Sequence, residues 1–198
     1  MSRVNEIFKH EAEAIKNIPI DGYYEKVVDL VYERVHKLGG KIVTSGMGKA
    51  GQIAMNMATT LSSTGTPSVF LHPSEAQHGD LGILQKNDMI IAISNSGKTR
   101  EIVELMELKS RLLSNIPVVV ITSNPESELA RGADHILPTG NPEEVCILGL
   151  TPTTSTTVMT VIGDALVVLL EEKIGFTNAE YSLRHHGGYL GSLARSKI

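Results

Sequence analysis

The chain is predicted to be an α/β domain whose core is a five-stranded parallel sheet flanked by helices, doubly wound in the flavodoxin or Rossmann manner. Three observations predict this. Short runs rich in Val and Ile, at 41–45, 68–71, 88–93, 117–122 and 134–137, are almost continuously apolar, as strands buried on both faces are. Helical periodicity at 49–63, 99–114 and 126–132 alternates with them, which implies right-handed crossovers between parallel strands. Two of the strands run into the following helix through glycine- and serine-rich turns, Ser45-Gly46-Met47-Gly48-Lys49-Ala50-Gly51 and Ser94-Asn95-Ser96-Gly97-Lys98-Thr99. A length of 198 residues fits one domain, 1–198, with a sizeable core. It divides into two N-terminal helices (3–38), the sheet core (40–138) and C-terminal helices (153–196).

Taken in order, Val4, Ile7, Phe8, Ala12 and Ile15 lie on one face of a helix over 3–17, which Pro19 stops. Tyr23, Val27, Leu30, Val31, Val35 and Leu38 mark a second helix, ended by Gly39-Gly40. After the fifth strand, 139–152 reads as a loop. Thr151-Pro152 places a capping hydroxyl and a first-turn proline before a helix over about 153–173. That helix is apolar nearly all round in its second half, so a subunit interface is a plausible second cover. The tail, 177–198, carries Arg184-His185-His186-Gly187-Gly188 and a short final helix.

Composition narrows the function classes. The net charge of −4 argues against nucleic acid as the main partner, and 4% aromatics argues against base-stacking platforms. No apolar run approaches the ~20 residues of a membrane span, and no apolar signal core follows Met1, so no membrane partner is expected. A single cysteine, Cys146, excludes an internal disulfide framework and fits a reducing cytoplasm. Its simplest reading is a buried small residue.

Both glycine turns open helices, where free backbone N–H groups and the positive dipole end favour anions. Gly46-x-Gly48-x-x-Gly51 matches the dinucleotide fingerprint, but the next strand ends in His72-Pro73 instead of the ribose-binding acid. A sugar-phosphate site with Lys49 reaching the substrate fits better, and the bland reading is a tight turn that needs glycine for its conformation. In the second turn Ser94, Ser96 and Thr99 exceed what helix capping needs, and with Asn95 they form a candidate phosphate cradle. The polar segment His72 to Asp80 lies where ligands bind in open parallel sheets, which makes His78 a candidate substrate contact. His72, His78, Asp80, His185 and His186 follow no metal-ligand spacing, so no metal is assigned. Glu101 reads locally as a first-turn helix acid, Glu144 as a loop acid, and His185-His186 as a polar turn.

Several segments together, Ser45-Gly-Met-Gly-Lys49, Ser63-Thr-Gly-Thr-Pro67, His72-Pro-Ser-Glu-Ala-Gln-His-Gly-Asp-Leu-Gly82, Ser94-Asn-Ser-Gly97, Leu148 to Thr157, Gly163-Asp-Ala-Leu166 and Gly187-Gly-Tyr-Leu-Gly191, resemble the arabinose 5-phosphate isomerases, enzymes with a sugar isomerase (SIS) domain. The likeness runs in order from about residue 40 to 193. It implies the SIS fold, a tetramer, and isomerisation of D-ribulose 5-phosphate to D-arabinose 5-phosphate on the route to Kdo, with no cofactor. It implies catalytic roles for Lys49, Glu101, Glu144 and His185. Substrate or phosphate contacts then fall to Ser45, Gly46, Gly48, Ser94, Asn95, Ser96, Thr99, His78 and Thr153.

Glu144 is the expected base, its pKa raised by burial, with Glu101 second. His185 would open the furanose, and Lys49 would steady the enediolate. At the histidine motif, relatives read Ser-His-Pro-x-Gly where this chain has Arg184-His185-His186-Gly187-Gly188, and Gly188 and Gly191 align His185 with the catalytic position. Many relatives carry CBS domains after the SIS domain. This sequence reaches Ile198 without them, which points to control at the phosphate site itself, for example by CMP-Kdo. The alternatives are another SIS phosphosugar isomerase, such as a 6-phospho-3-hexuloisomerase, or a non-catalytic sugar-phosphate sensor.

Overall fold

The computed structural model describes residues 2–20 and 22–198. Two helices lead into the sheet: α1 (Arg3–Lys16) and α2 (Tyr23–Val31), the latter extended by a π-helical turn over Tyr32–Lys37. Then follow β1 (Ile42–Gly46), α3 (Gly48–Ser63), β2 (Ser68–Phe70), α4 (Pro73–Ala76) and a 3-10 turn, Asp80–Ile83. The second half comprises β3 (Met89–Ile93), α5 (Arg100–Leu112), β4 (Val118–Thr122), α6 (Glu128–Arg131) and β5 (His135–Pro138). Three helices close the chain: α7 (Thr154–Ile174), α8 (Asn178–Arg184) and α9 (Gly188–Arg195).

All five predicted strands form. They pair in parallel in the order β2-β1-β3-β4-β5. The chain reverses its direction of winding between β1 and β3, which pair from Ile42↔Met89 to Gly46↔Ile93. Ligands of open parallel sheets bind beyond the carboxyl ends of strands at such a switch point, and here both glycine turns meet.

Successive strand residues face opposite layers. Ile42, Ile91, Ile93, Val119 and Ile121 pack with α2, α3 and α7 on one side. Val43, Ile90, Ala92, Val118 and Val120 pack with Leu71, Ala76, Ile102, Leu105 and Leu129 on the other. Two buried faces explain the continuously apolar runs. At the opposite end from the site, the buried Asp88 carboxylate accepts from Lys41 N, Lys41 Nζ and Gln85 N at 2.9, 2.6 and 2.7 Å. It thereby ties the start of β1 to the start of β3.

Two expectations need correction. First, α7 is 21 residues long and apolar enough by length and composition to cross a membrane, contrary to the reading that no run approaches a span. Half of its apolar stretch is buried inside this fold, however, where Val158, Ile162, Leu166 and Leu170 join the core beside α1, α2 and α3. Burial against the protein meets the same compositional test as burial in lipid. Second, the tail holds two helices. The one missed, α8, is opened by a capping box in which the Thr177 side chain accepts from Glu180 N and the Glu180 carboxylate accepts from Thr177 N. The Thr-x-x-Glu spelling of that box is legible in the sequence.

Candidate active site

The first turn is shaped by close approach. A Cβ on Gly46 would sit 2.7 Å from the Ala50 carbonyl oxygen, and one on Gly51 would sit 2.6 Å from that of Gly46. Glycine is therefore required where β1 and α3 press together, a local reason for the spacing that involves no dinucleotide. Gly48 has φ +59° with open space around it, and Lys49 stands exposed in the first turn of α3. Ser45 departs from expectation. It is fully buried, and its hydroxyl donates to the Leu71 carbonyl at 2.7 Å. With its proton engaged between β1 and the end of β2, Ser45 is a strut and not a phosphate donor.

The second turn is braced from below by the loop after β4. The Asn95 carbonyl accepts from Ser123 N, Ser123 Oγ and Thr122 Oγ1 at 2.9, 2.7 and 3.1 Å. Gly97 has φ +63°, and a Cβ there would collide with the Ser127 hydroxyl, so no other residue fits. Ser94 is buried and shares a 2.8 Å hydrogen bond with Thr99 Oγ1, which makes it the orienter of Thr99 more than a ligand in its own right. Ser96 is exposed, and its hydroxyl accepts from Lys98 N at 3.2 Å. No side chain of the described residues caps α5. Its first N–H groups, lacking intrahelical acceptors, follow directly on the N-cap residue Thr99 and the turn that carries Ser96. The Asn95 Oδ1 atom is buried without a hydrogen-bond partner among the described residues.

Glu101 is half-buried in the first turn of α5, next to this cradle. Gln77 and the adjacent Arg100 both donate to Glu104, at 2.8 and 2.6 Å. His78, beyond α4, is exposed.

Glu144 is built the opposite way. One carboxylate oxygen accepts from Thr153 N and Thr154 N, both at 2.8 Å, and from Thr153 Oγ1 at 3.2 Å. The other accepts from Ser155 N at 3.4 Å and from the Ser155 hydroxyl in a short contact. Burial pushes its pKa upward, but the hydrogen bonds from Ser155, Thr153 and Thr154 outweigh that and hold the carboxyl below its ordinary value. The expectation of a base raised by burial is therefore corrected: donors at the N-terminus of α7 decide the sign. Thr153, expected to contact substrate, gives both its N–H and its hydroxyl to Glu144.

Cys146 is half-exposed, not buried. Hydrogen bonding from Thr151 lowers its thiol to about 7. The segment after it leaves Ile147, Leu148 and Leu150 exposed.

His185 ends α8. Its ring stacks on Tyr181 with centroids 3.8 Å apart, and its Nδ1 lies 3.0 Å from the Tyr181 carbonyl oxygen. The carbonyl can only accept, so Nδ1 carries a proton in that contact, and Nε2 makes no hydrogen bond among the described residues. His186, by contrast, is exposed without such support. α8 and α9 pack chiefly on each other. The described cavities do not gather Lys49, Glu101, Glu144 and His185 into one enclosure, and the largest, about 640 Å³, is an apolar groove between α1, α2 and α7. No cluster of three or more His, Cys, Asp or Glu residues that could hold a metal occurs among the described residues.

Residues 38–169, the sheet with both turns, Glu144 and most of α7, match the SIS domain. The chain belongs to the SIS family. Among solved SIS-type structures, it is similar to a Bacteroides fragilis NCTC 9343 protein assigned as a phosphosugar isomerase involved in capsule formation. That match has 63% identity and a TM-score of 0.93 over 94% of this chain and 97% of that one. It is also similar to an Escherichia coli CFT073 protein solved in complex with arabinose 5-phosphate, at 35% identity and a TM-score of 0.82 over 93% of this chain and 100% of that one. The arabinose 5-phosphate isomerase KdsD of Salmonella typhi is 46% identical over 186 residues, which are 94% of this chain and 56% of that protein. The chain thus spans about half the length of the curated relatives it matches.

Proposed function

We propose that this SIS domain is an aldose–ketose isomerase that interconverts D-ribulose 5-phosphate and D-arabinose 5-phosphate through a cis-enediol, in the synthesis of Kdo for lipopolysaccharide or capsule. The observation that carries this reading is the likeness to the E. coli protein solved with arabinose 5-phosphate, which this chain matches along all of that protein's length. The two turns at the switch point supply matching chemistry. The α5 N-terminus with Ser96 and Thr99 offers a phosphate donors without added charge. Lys49, across the β1–β3 divide, offers a cation for the oxygen on which negative charge develops. Holding the phosphate gives binding energy remote from the reacting carbons, which orients C1 and C2.

In this scheme Glu144 removes the proton from one carbon and returns it to the other. Its hydrogen bonds keep it ionised, in the form a base needs, at any neutral pH. They also make it a weaker base, so charge stabilisation by Lys49 carries more of the barrier. His185, with Nε2 unengaged among the described residues, serves as acid–base partner for ring opening. Glu101 is a second reading for the base, favoured by one observation: Gln77 and Arg100 bind Glu104, and among the described residues no donor engages the Glu101 carboxylate. The reaction is internally redox-neutral and calls for no redox cofactor. A tetramer, a cytoplasmic location and feedback by CMP-Kdo at the phosphate site belong to the same proposal.

The test is direct. Purified protein incubated with D-ribulose 5-phosphate is expected to form D-arabinose 5-phosphate. Turnover of a hexulose 6-phosphate with none of ribulose 5-phosphate would transfer the assignment to a hexuloisomerase, and binding without turnover would make the chain a sensor.

A further inference from the structure

The loop that carries Glu144 is held from two sides, and the second side lies outside the matched SIS region. Arg3, Ile7, His10, Glu11 and Ala14 recur at helical spacing along one face of α1. From that face Arg3 Nη2 donates to the Val145 carbonyl at 2.8 Å. His10 Nε2 donates to the Glu143 carbonyl, also at 2.8 Å. Glu11 Oε1 accepts from Thr154 Oγ1 at 2.9 Å, and that same Thr154 oxygen accepts from Val145 N at 3.3 Å. The residues on both sides of Glu144 are thus fixed by α1, while Glu144 itself is fixed by the first turn of α7. Thr154 joins the two holds, because its N–H serves Glu144 and its hydroxyl serves Glu11.

A purely structural purpose explains this poorly. The apolar side chains of α1 that pack on the core, Ala14 and Ile15, lie at its C-terminal end, and no residue of the helix is fully buried. The N-terminal half is attached through the polar contacts. Capping of α7 does not require Glu11 either, since Glu144 already takes the Thr153 and Thr154 N–H groups. Glu11 even carries a cost. Its Oε2 is buried with no hydrogen-bond partner among the described residues, an unfavourable state for a carboxylate oxygen. What the contacts achieve together is to fix the main chain at Glu143 and Val145. A carboxylate that must meet a substrate carbon within a fraction of an ångström needs that kind of support.

We infer that α1 is a clamp on the Glu144 loop and that Glu11 is a positioning residue for the reaction, acting through Thr154. The inference rests on the isomerase reading for its kinetic consequence, but the clamp itself is a matter of backbone protection.

The test therefore has two arms, run on the full chain. In hydrogen–deuterium exchange, Glu11→Ala should speed exchange across 143–155 by about tenfold, the loss of one hydrogen bond's worth of local stability, and leave the strands unchanged. In the isomerase assay it should lower kcat by about tenfold with KM within about twofold, because a displaced base loses transition-state contacts while phosphate binding stays. Glu11→Gln keeps an acceptor for the Thr154 hydroxyl and should restore both readings. Arg3→Ala and Thr154→Val probe the same clamp with Glu11 in place, should Glu11→Ala not fold. Lys9→Ala, on the exposed face of α1, is the control. Unchanged exchange at 143–155, faster exchange there with undiminished kcat, or failure of Glu11→Gln to rescue would each overturn the inference. If the wild type does not isomerise ribulose 5-phosphate, the function assigned above fails, and the exchange arm still decides the clamp.

Discussion

Two helix N-termini in this molecule face the same electrostatic problem and solve it differently. Each presents N–H groups without intrahelical acceptors and the positive end of a dipole. At α7 the chain supplies its own anion: Glu144 takes donors from three consecutive residues, Thr153, Thr154 and Ser155. At α5 the first-turn acid, Glu101, takes none of the N–H donors among the described residues, and the helix start is bordered by hydroxyls and a glycine that nothing else can replace. The difference teaches that a helix start stays open to a ligand where no carboxylate of the chain accepts from its N–H groups. It also separates the roles proposed here. The α5 end holds the phosphate, and the α7 end holds the base.

Substitutions that act on one end and spare the other can break or sharpen that division. The largest effect is expected for Glu144→Gln. Loss of the base should cut kcat by about 10²–10⁴-fold, with substrate binding nearly intact. Glu101→Gln assayed beside it is expected to be the milder change, and the reverse order would move the base to α5. Next comes the phosphate end. Thr99→Val removes one hydroxyl donor to an anion and should raise KM by about tenfold or more with kcat little altered, and steady-state kinetics read the split. Ser45→Ala should instead leave KM alone and lower stability by about 1 kcal/mol in chemical denaturation, because its hydroxyl serves Leu71.

Acid denaturation gives a finer test of the α7 end. A carboxyl held below its ordinary value stabilises the fold at pH above the usual carboxylate range and loses that contribution as pH falls through the folded value. Stability should therefore decline on acidification, and Glu144→Gln should flatten the decline. The smallest effect concerns the neighbouring thiol. Alkylation of Cys146 should rise with pH around a midpoint of about 7, and a midpoint near 9 would remove the Thr151 contact from the account.

Much of this was legible in the sequence. Period and composition mark the five strands because burial on both faces forces continuous apolar runs, and the two turns announce the switch point. What the sequence could not reveal is where hydroxyls and carboxylates pair across distance. Ser45 and Ser94 look alike as turn serines, yet one meets Leu71 and the other Thr99. The pKa of Glu144 depends on donors nine to eleven positions away, so a lone loop acid betrays neither its sign nor its strength. Glu11, some 140 residues from Thr154, carried no local signal at all. The capping box of α8 and the membrane-like composition of α7 are different. Both were written in the sequence, the first readable and the second ambiguous until packing decided it.

The central claim is proton transfer between C1 and C2 of a five-carbon sugar phosphate at this site. Incubation with D-ribulose 5-phosphate in D2O, followed by NMR of the product, tests it most directly. The account predicts D-arabinose 5-phosphate, with solvent deuterium at C2 in the fraction of turnovers in which the proton on Glu144 exchanges before its return. Absence of both that product and any solvent label in the recovered ketose would contradict it.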